Sequence, residues 1–390
     1  MSKILNNSGL PEKNIVYVST YPPRECGIAT FTKDLIDAVN ETDTKKSQKV
    51  IAVNEKGAIY TYDKKVKFII ERDNEDDYIQ AAEYVNDSDI DVVNLQHEFG
   101  IFGGNFGEYI NIFLDKIKKP VITTLHTVQI GFEPEACEVL KKILQKSEAA
   151  VVIAHNAVEI LKKQELLCKK FAVIPHGCPF IPFVNSENVK ASMNLKGKFV
   201  VSTFGLISKG KGIEYAVKAL ASVVDTIPEI MYLIIGETHP EVRKNEGEKY
   251  RKKLLDLVYD LGLEKNVRFH NRFLPKRELI KYLQATDVYV TPYVSPNQIS
   301  SGTLVYALGA GRAIISTPYL HAQEVLAENR GLFCKFKDSK SIADCLIKLS
   351  DDNLRKNIEN KAYKYSRRFL WSSVAKKYEE LFSQTIRKQR

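Results

Sequence analysis

The segment Gly205-Leu206-Ile207-Ser208-Lys209-Gly210-Lys211-Gly212 follows an apolar run, Phe199–Phe204, and precedes a helical pattern, Ile213–Val224. It comes close to the phosphate-binding pattern G-x-x-x-x-G-K-[ST]. The last position fails, because Gly212 has no hydroxyl for magnesium, and no apolar strand ending in Asp supplies a second metal ligand. The physics of the loop survives. Lys211 and the amides of Gly210 and Gly212, at a helix start, can neutralise a diphosphate. Ser300-Ser301-Gly302-Thr303 opens a second helix that ends near Leu308. Small residues there cap the helix and expose backbone amides. Two anion-binding helix starts after strands in one half of the chain point to a nucleotide-diphosphate.

The other half carries a weaker set. Tyr21-Pro22-Pro23-Arg24-Glu25-Cys26-Gly27-Ile28-Ala29-Thr30 follows the first apolar run, and Gly27 lets backbone and ligand approach closely. Gln96-His97-Glu98-Phe99-Gly100, His126-Thr127, His155 and His176-Gly177 also follow apolar runs. Histidines at strand ends are more often hydrogen-bonded structural residues than catalysts. None makes an H-x-x-x-H or H-x-E pair on a helix, so a metal site is not expected. Asp89-Ile90-Asp91 resembles a metal-binding D-x-D pair but precedes its strand, so it reads as a solvated turn.

These loops need strands and helices to position them. Short β-branched runs alternate with helical patterns throughout: Asn14–Ser19, Lys49–Val53, Val66–Ile70, Val92–Gln96, Val121–Leu125, Ala149–Ala154 and Phe171–Ile174 in the first half, then Phe199–Phe204, Met231–Ile235, Val267–His270, Val288–Thr291 and Ala313–Ser316 in the second. Continuous apolar strands are buried on both faces, as in parallel sheets covered by helices. The fold class is α/β, with two facing Rossmann-like, doubly wound domains and the cleft between them as the expected site. The expected division is 1–178, a linker over 179–198, and 199–368, with a last helix at about 369–390 packing back on the first domain. Ligands gather at the carboxyl ends of such strands, where all these loops lie.

Composition excludes several classes. The 390 residues are 44% hydrophobic and 27% charged, which rules out a disordered chain. The longest apolar runs fall far short of a membrane span, and the polar Met1–Asn14 does not resemble a signal peptide. Six cysteines without a C-x-x-C pair read as reduced thiols, which suggests a cytoplasmic setting. The net charge is +9, and Leu354–Arg390 alone carries eleven Lys/Arg against three Glu. That tail reads either as a solvated helix face or as a contact for an anionic surface, such as the inner face of a membrane. Nucleic acid is not expected, because no recognition signature accompanies the charge.

Taken together, these residues resemble the GT-B glycosyltransferases, and specifically the retaining family 4. The resemblance rests on Phe204–Glu214, Ile234-Ile235-Gly236-Glu237, Val267–His270, Tyr306–Thr317, Cys26-Gly27-Ile28-Ala29, Thr124-Leu125-His126-Thr127, Ile174-Pro175-His176-Gly177 and the tail around Phe369-Leu370-Trp371. It covers essentially the whole chain. Three positions depart from the family pattern. The usual E-x7-E falls on Gln298 and Tyr306, and an Arg that helps to hold the diphosphate falls on Leu206. The motifs Y-P-P-R-x-C-G-I-A-T and S-S-G-T resemble a subgroup, so the departures read as a subgroup trait.

The resemblance implies transfer of a hexose, with mannose a first guess, from a GDP- or UDP-sugar to a glycan, lipid-linked or polyol acceptor. Anomeric configuration would be retained, with no metal and no other cofactor. Lys211 and His126 would be catalytic. Gly27, Gly205, Gly210, Gly212, Arg272, Phe273, Gln298, Ser300, Ser301, Gly302, Thr303 and Tyr306 would bind the donor. Arg24, His97 and Glu98 would line the acceptor side. No carboxylate pair suits a covalent glycosyl intermediate, which fits front-face departure. The alternatives are a non-catalytic nucleotide-sugar or glycan-binding relative and a GT-B phosphorylase or epimerase.

Overall fold

A strand that is apolar without alternation must be covered on both faces, and this is how the strands here are used. The computed structural model describes residues 13–42 and 47–388. The polar N-terminal stretch up to residue 12 and the last tail residue, Arg390, lie outside the described residues. The chain divides into two units, Met1–Pro175 with Trp371–Arg390, and His176–Leu370.

In the first unit, seven parallel strands are β1 (Asn14–Ser19), β2 (Ser47–Asn54), β3 (Val66–Glu71), β4 (Val92–His97), β5 (Val121–Leu125), β6 (Ala149–Val152) and β7 (Phe171–Val173). Their order is β3-β2-β1-β4-β5-β6-β7, so the connection reverses direction between β1 and β4. Alternation along β1 feeds two cores. Ile15 and Tyr17 pack with Leu35, Val39, Val374, Tyr378 and Phe382 on one face. Val16 and Val18 pack with Tyr78, Ala81 and Phe113 on the other. Each fully buried aliphatic side chain of this kind contributes about 1.5–3 kcal/mol.

The second unit repeats the plan with six strands: β8 (Phe199–Phe204), β9 (Ile230–Ile235), β10 (Val267–His270), β11 (Val288–Thr291), β12 (Ala313–Ser316) and β13 (Leu332–Phe333). The order β10-β9-β8-β11-β12-β13 places its switch point between β8 and β11. The helices Ile213–Val223 and Gly302–Gly309 begin at that edge, after β8 and β11. β13, only two residues long, carries too little pattern to be read from sequence.

Residues 179–198, expected as a linker, lie within the second unit and include the helix Ser186–Lys190. A buried ion pair accounts for this. Lys190 Nζ donates to Asp287 Oδ2 and Glu187 Oε1, both at 2.6 Å, and to the Lys198 carbonyl at 2.8 Å. Asp287 also accepts from the Val200 amide and the Ser186 hydroxyl, at 2.7 Å each.

The basic tail is not one surface. The helix Asp352–Ser366 belongs to the second unit and Trp371–Arg387 to the first. Its apolar residues are core: Phe369 packs in the second unit, and Val374, Tyr378, Leu381 and Phe382 in the first. Several cations already have partners. Arg355 pairs with Asp352, and Arg367 lies 3.8 Å from the Tyr363 ring centre and bonds the Gly309 carbonyl. Asp89 and Asp91 are structural: Asp91 accepts from the Asn14 amide at 2.9 Å, and Asp89 pairs with Lys49. Among the described residues no helix is long and apolar enough to cross a membrane.

Breaking a buried pair by removing one partner strands the other charge. Asp287→Ala should therefore destabilise the second unit by about 3–5 kcal/mol. Urea unfolding checks this; a loss under about 1 kcal/mol would mean that the pair does not hold residues 186–198 in place.

Candidate functional site

At the β8 edge of the second sheet, Gly205 leads into the short turn Lys209–Lys211, and Gly212 starts the helix Ile213–Val223. Gly212 has φ +63°, and a Cβ there would sit 2.2 Å from the Pro292 carbonyl oxygen. Only glycine allows this approach, which draws the lysine turn against the residues after β11. The Val294 amide completes the seam by donating to the Gly210 carbonyl at 3.1 Å.

The seam brings Lys211 onto Tyr293. Lys211 Nζ donates to Tyr293 Oη at 2.6 Å and lies 4.2 Å from the centre of its ring. Tyr293 Oη is 3.0 Å from Thr303 Oγ1 and 3.5 Å from Ser301 Oγ, and the two hydroxyls are 3.2 Å apart. The Tyr293 ring stacks on Tyr319 with centres 5.1 Å apart. Burial pushes the Tyr293 phenol up, but the Lys211 charge and the hydrogen bonds with Lys211, Ser301 and Thr303 outweigh it. The phenol is held below its ordinary value. No carboxylate among the described residues pairs with Lys211.

Ser301 caps the helix Gly302–Gly309 by accepting from the Leu304 amide at 3.3 Å. Its own amide is not available to a ligand, because it donates to His321 Nδ1 at 3.0 Å. The Gly302 and Thr303 amides remain as first-turn donors without intrahelical partners. Gly302 is required by proximity, since a Cβ there would lie 2.7 Å from His176 Nε2.

The structure thus brings together Gly205, Gly210, Lys211, Gly212, Ser301, Gly302 and Thr303. Ser300 and the exposed Gln298 occupy the adjoining loop, where Gln298 Nε2 donates to the Ser300 carbonyl at 2.6 Å. Tyr306 instead faces the core, 6.4 Å from the Phe204 ring and 7% exposed. Arg272 and Phe273 follow β10, with Arg272 paired to Glu278 and the half-exposed Phe273 donating its amide to Glu237. Sequence reading missed Tyr293 and His321. Tyr293 follows the end of β11 by two residues, so a survey of every strand end would have reached it; His321 carries no such signal.

In the first unit, the candidates stand after β1, β4 and β5. Cys26 Sγ accepts from the Ala29 amide at 3.2 Å at the start of the helix Gly27–Thr42. A Cβ at Gly27 would meet nothing within 4 Å, so the space above it is open. Arg24 turns to Glu55, 3.1 Å away, and to the Val53 carbonyl. His126 Nε2 is 2.8 Å from Gln96 Oε1, and its ring stands edge-on to Phe31. Glu98 accepts from the Thr127 hydroxyl and the Phe99 amide, and burial raises its carboxyl above the ordinary range. His97 is fully buried against Phe99 and Phe102, and neither ring nitrogen has a hydrogen-bond partner among the described residues. Among the described residues no group of three or more His, Cys, Asp or Glu side chains is arranged to hold a metal ion.

Residues 184–365, all within the second unit, match the family model Glycosyl transferases group 1. An uncharacterised glycosyltransferase of Methanocaldococcus jannaschii is 24% identical over 253 residues, 63% of this chain and 61% of that protein. The match thus spans less than two thirds of the relative's length. Among solved structures, sucrose-phosphate synthase from Thermosynechococcus elongatus is similar over 97% of this chain and 100% of its own, with a TM-score of 0.80 at 16% identity. HepE from Anabaena, solved with UDP and glucose, is similar over 96% of this chain and 100% of its own, with a TM-score of 0.74 at 14% identity. The fold is the two-domain α/β fold of the GT-B glycosyltransferases.

Burial pushes the His97 and His321 rings down to about 3, aided at His321 by the charge of His176. An unfolded chain takes up a proton at each ring below about pH 6.5, and the folded chain does so only near the depressed value. Stability should be fully present above about pH 6.5 and fall by about 1.4 kcal/mol per pH unit for each ring as the pH drops. His321→Gln, which keeps an acceptor for the Ser301 amide, should flatten that slope in the second unit. Urea unfolding between about pH 7 and 4 measures it, and an unchanged slope would show that His321 is not held neutral.

Proposed function

We propose that the protein transfers a hexose from a nucleoside-diphosphate sugar to an acceptor hydroxyl, and that the second unit grips the diphosphate. One observation carries this reading. The Lys211 ammonium sits at the switch point of a doubly wound sheet, beside a helix start, and is held by the Tyr293 phenol rather than by a carboxylate. Its charge is therefore undiminished for an anionic ligand. The match of residues 184–365 to Glycosyl transferases group 1 supports the same reading.

In this proposal the bond from the anomeric carbon to the diphosphate oxygen breaks, and negative charge grows on the leaving phosphate. Lys211, the Gly302 and Thr303 amides and the Ser301 and Thr303 hydroxyls receive it. Each charge-assisted contact contributes roughly 1.5–3 kcal/mol, or one to two tenfold steps in rate. The acceptor oxygen bonds the anomeric carbon on the face that the phosphate leaves, and the acceptor proton passes to the departing phosphate oxygen. Configuration is retained. His126 and Gly27 are assigned to the donor, and Arg24 and Glu98 to the acceptor side, on the resemblance alone; His97, expected on the acceptor side, is fully buried against Phe99 and Phe102 and cannot line it. The Anabaena neighbour was solved with UDP-glucose, which makes that donor worth testing beside GDP-mannose.

Tyr306, in the core where the family pattern has a glutamate, favours a second reading: a non-catalytic relative that binds the nucleotide-sugar. Calorimetry with UDP-, GDP- and ADP-sugars, combined with an assay for nucleotide release, separates binding from turnover. Lys211→Ala should cut transfer at least about a hundredfold in a protein that still melts like the wild type, as expected for a charge-assisted contact to the leaving group. A rate within a few-fold of wild type would remove the diphosphate assignment. Activity should persist in EDTA; loss on chelation, restored by manganese or magnesium, would overturn the metal-free mechanism.

A further inference from the structure

Tyr293 belongs to none of the motifs that mark the loops at this site, yet it is the residue on which they converge. Lys211 comes from the turn after β8, and Ser301 and Thr303 from the helix start after β11. Their polar ends meet at one phenol oxygen, at 2.6 Å from Lys211, 3.0 Å from Thr303 and 3.5 Å from Ser301. Tyr293 is itself 4% exposed, and its ring is fixed by stacking on Tyr319. A phenol locked in this way has little freedom to lose when a ligand arrives.

The donor inventory sets the direction of the hydrogens. An ammonium only donates, so Tyr293 Oη must accept from Lys211 Nζ. The one phenol hydrogen is then left for Thr303 Oγ1, its nearer hydroxyl neighbour. Ser301 Oγ already accepts from the Leu304 amide. The hydroxyl hydrogens of Ser301 and Thr303 are thus left to turn to each other or outward. A chain of this polarity joins the ammonium and the two hydroxyls through one phenol oxygen, and its members strengthen one another.

We infer that Tyr293 is a positioning residue for the diphosphate: it holds Lys211, Ser301 and Thr303 as one preorganised set rather than touching the ligand itself. The inference rests on the proposed function and deepens it. It also gives this chain a local remedy for the missing cation at Leu206, because a single ammonium must then be aimed well.

Calorimetry with UDP and with GDP tests it, on wild type, Lys211→Ala, Tyr293→Phe and the double variant. Phenylalanine keeps the ring on Tyr319 and removes only the oxygen. Tyr293→Phe should weaken binding of the nucleoside diphosphate about tenfold, the scale of one lost hydrogen bond, with little change in melting temperature. In the Lys211→Ala background the same change should cost less than about twofold, because a positioning residue acts through the group it positions. Thr303→Val, which leaves the phenol and removes its acceptor, should also weaken binding, so a poorly folding Tyr293 variant does not end the test. Binding by Tyr293→Phe within twofold of wild type, or an undiminished loss in the double variant, would overturn the inference while leaving Lys211 in its role. An unaffected Lys211→Ala would instead overturn the proposed function itself.

Discussion

The arrangement at the second sheet depends on an ammonium kept without a counter-carboxylate. Several other cations in the same unit are neutralised where they stand. Lys190 meets Asp287 and Glu187, Arg243 meets Glu237 and Glu248, and Arg330 meets Glu328. Lys211 is held as firmly, but by a phenol and its ring. A carboxylate would have fixed the side chain and cancelled its field. A phenol fixes it and leaves the field intact, which is the electrostatic condition for binding an anion. The buried neutral His321 works to the same end, since it orients the Ser301 amide without adding a charge.

Backbone geometry makes that condition possible. The lysine turn and the post-β11 residues can touch only because position 212 has no side chain to meet the Pro292 carbonyl; position 302 is kept bare separately, by the His176 ring. The strands that carry these loops are parallel neighbours across the switch point, so both helix starts rise from the same edge of the sheet. The helix dipoles and the ammonium therefore add. The same topology in the first unit yields a different chemistry. There the strand-end residues turn inward, with His97 buried between aromatic rings and Glu98 bonded to Thr127 and Phe99.

Most strands were legible in the sequence because burial on both faces leaves an unbroken apolar run, as in β1, β5, β8 and β11. Lys211 and the Ser301–Thr303 turn, which the structure brings together on Tyr293, stood out because glycine, serine and lysine after a strand match the small vocabulary of anion-binding loops. What stayed hidden was tertiary. Tyr293 lies in a Pro-flanked loop whose composition gives no hint of the lysine it meets from another strand. The stretch 179–198 has a linker's composition, and only the partner Asp287, about a hundred positions on, shows why it folds into the second unit. The apolar residues of the tail were visible at helical spacing, but the spacing alone does not say whether core or solvent lies opposite. Here it is core, shared between two units.

The departures from the family pattern also acquire a direction. Where the pattern has two glutamates and an arginine, this chain has glutamine at 298, tyrosine at 306, which faces the core, and leucine at 206, so two negative charges and one positive are absent. The balance is a site more positive by one unit than the pattern it resembles. On the proposed function, with a donor that arrives as a dianion and leaves with more charge concentrated on its terminal phosphate, that change would favour both binding and departure. The cost falls on recognition of the sugar, which loses the strong acceptors that carboxylates offer to its hydroxyls. Gln298, exposed beside the cradle, offers a neutral carbonyl and an amide in their place. On the proposed function, such a site would select its donor by the diphosphate first and by the sugar second, the reverse of the emphasis that a pair of glutamates provides.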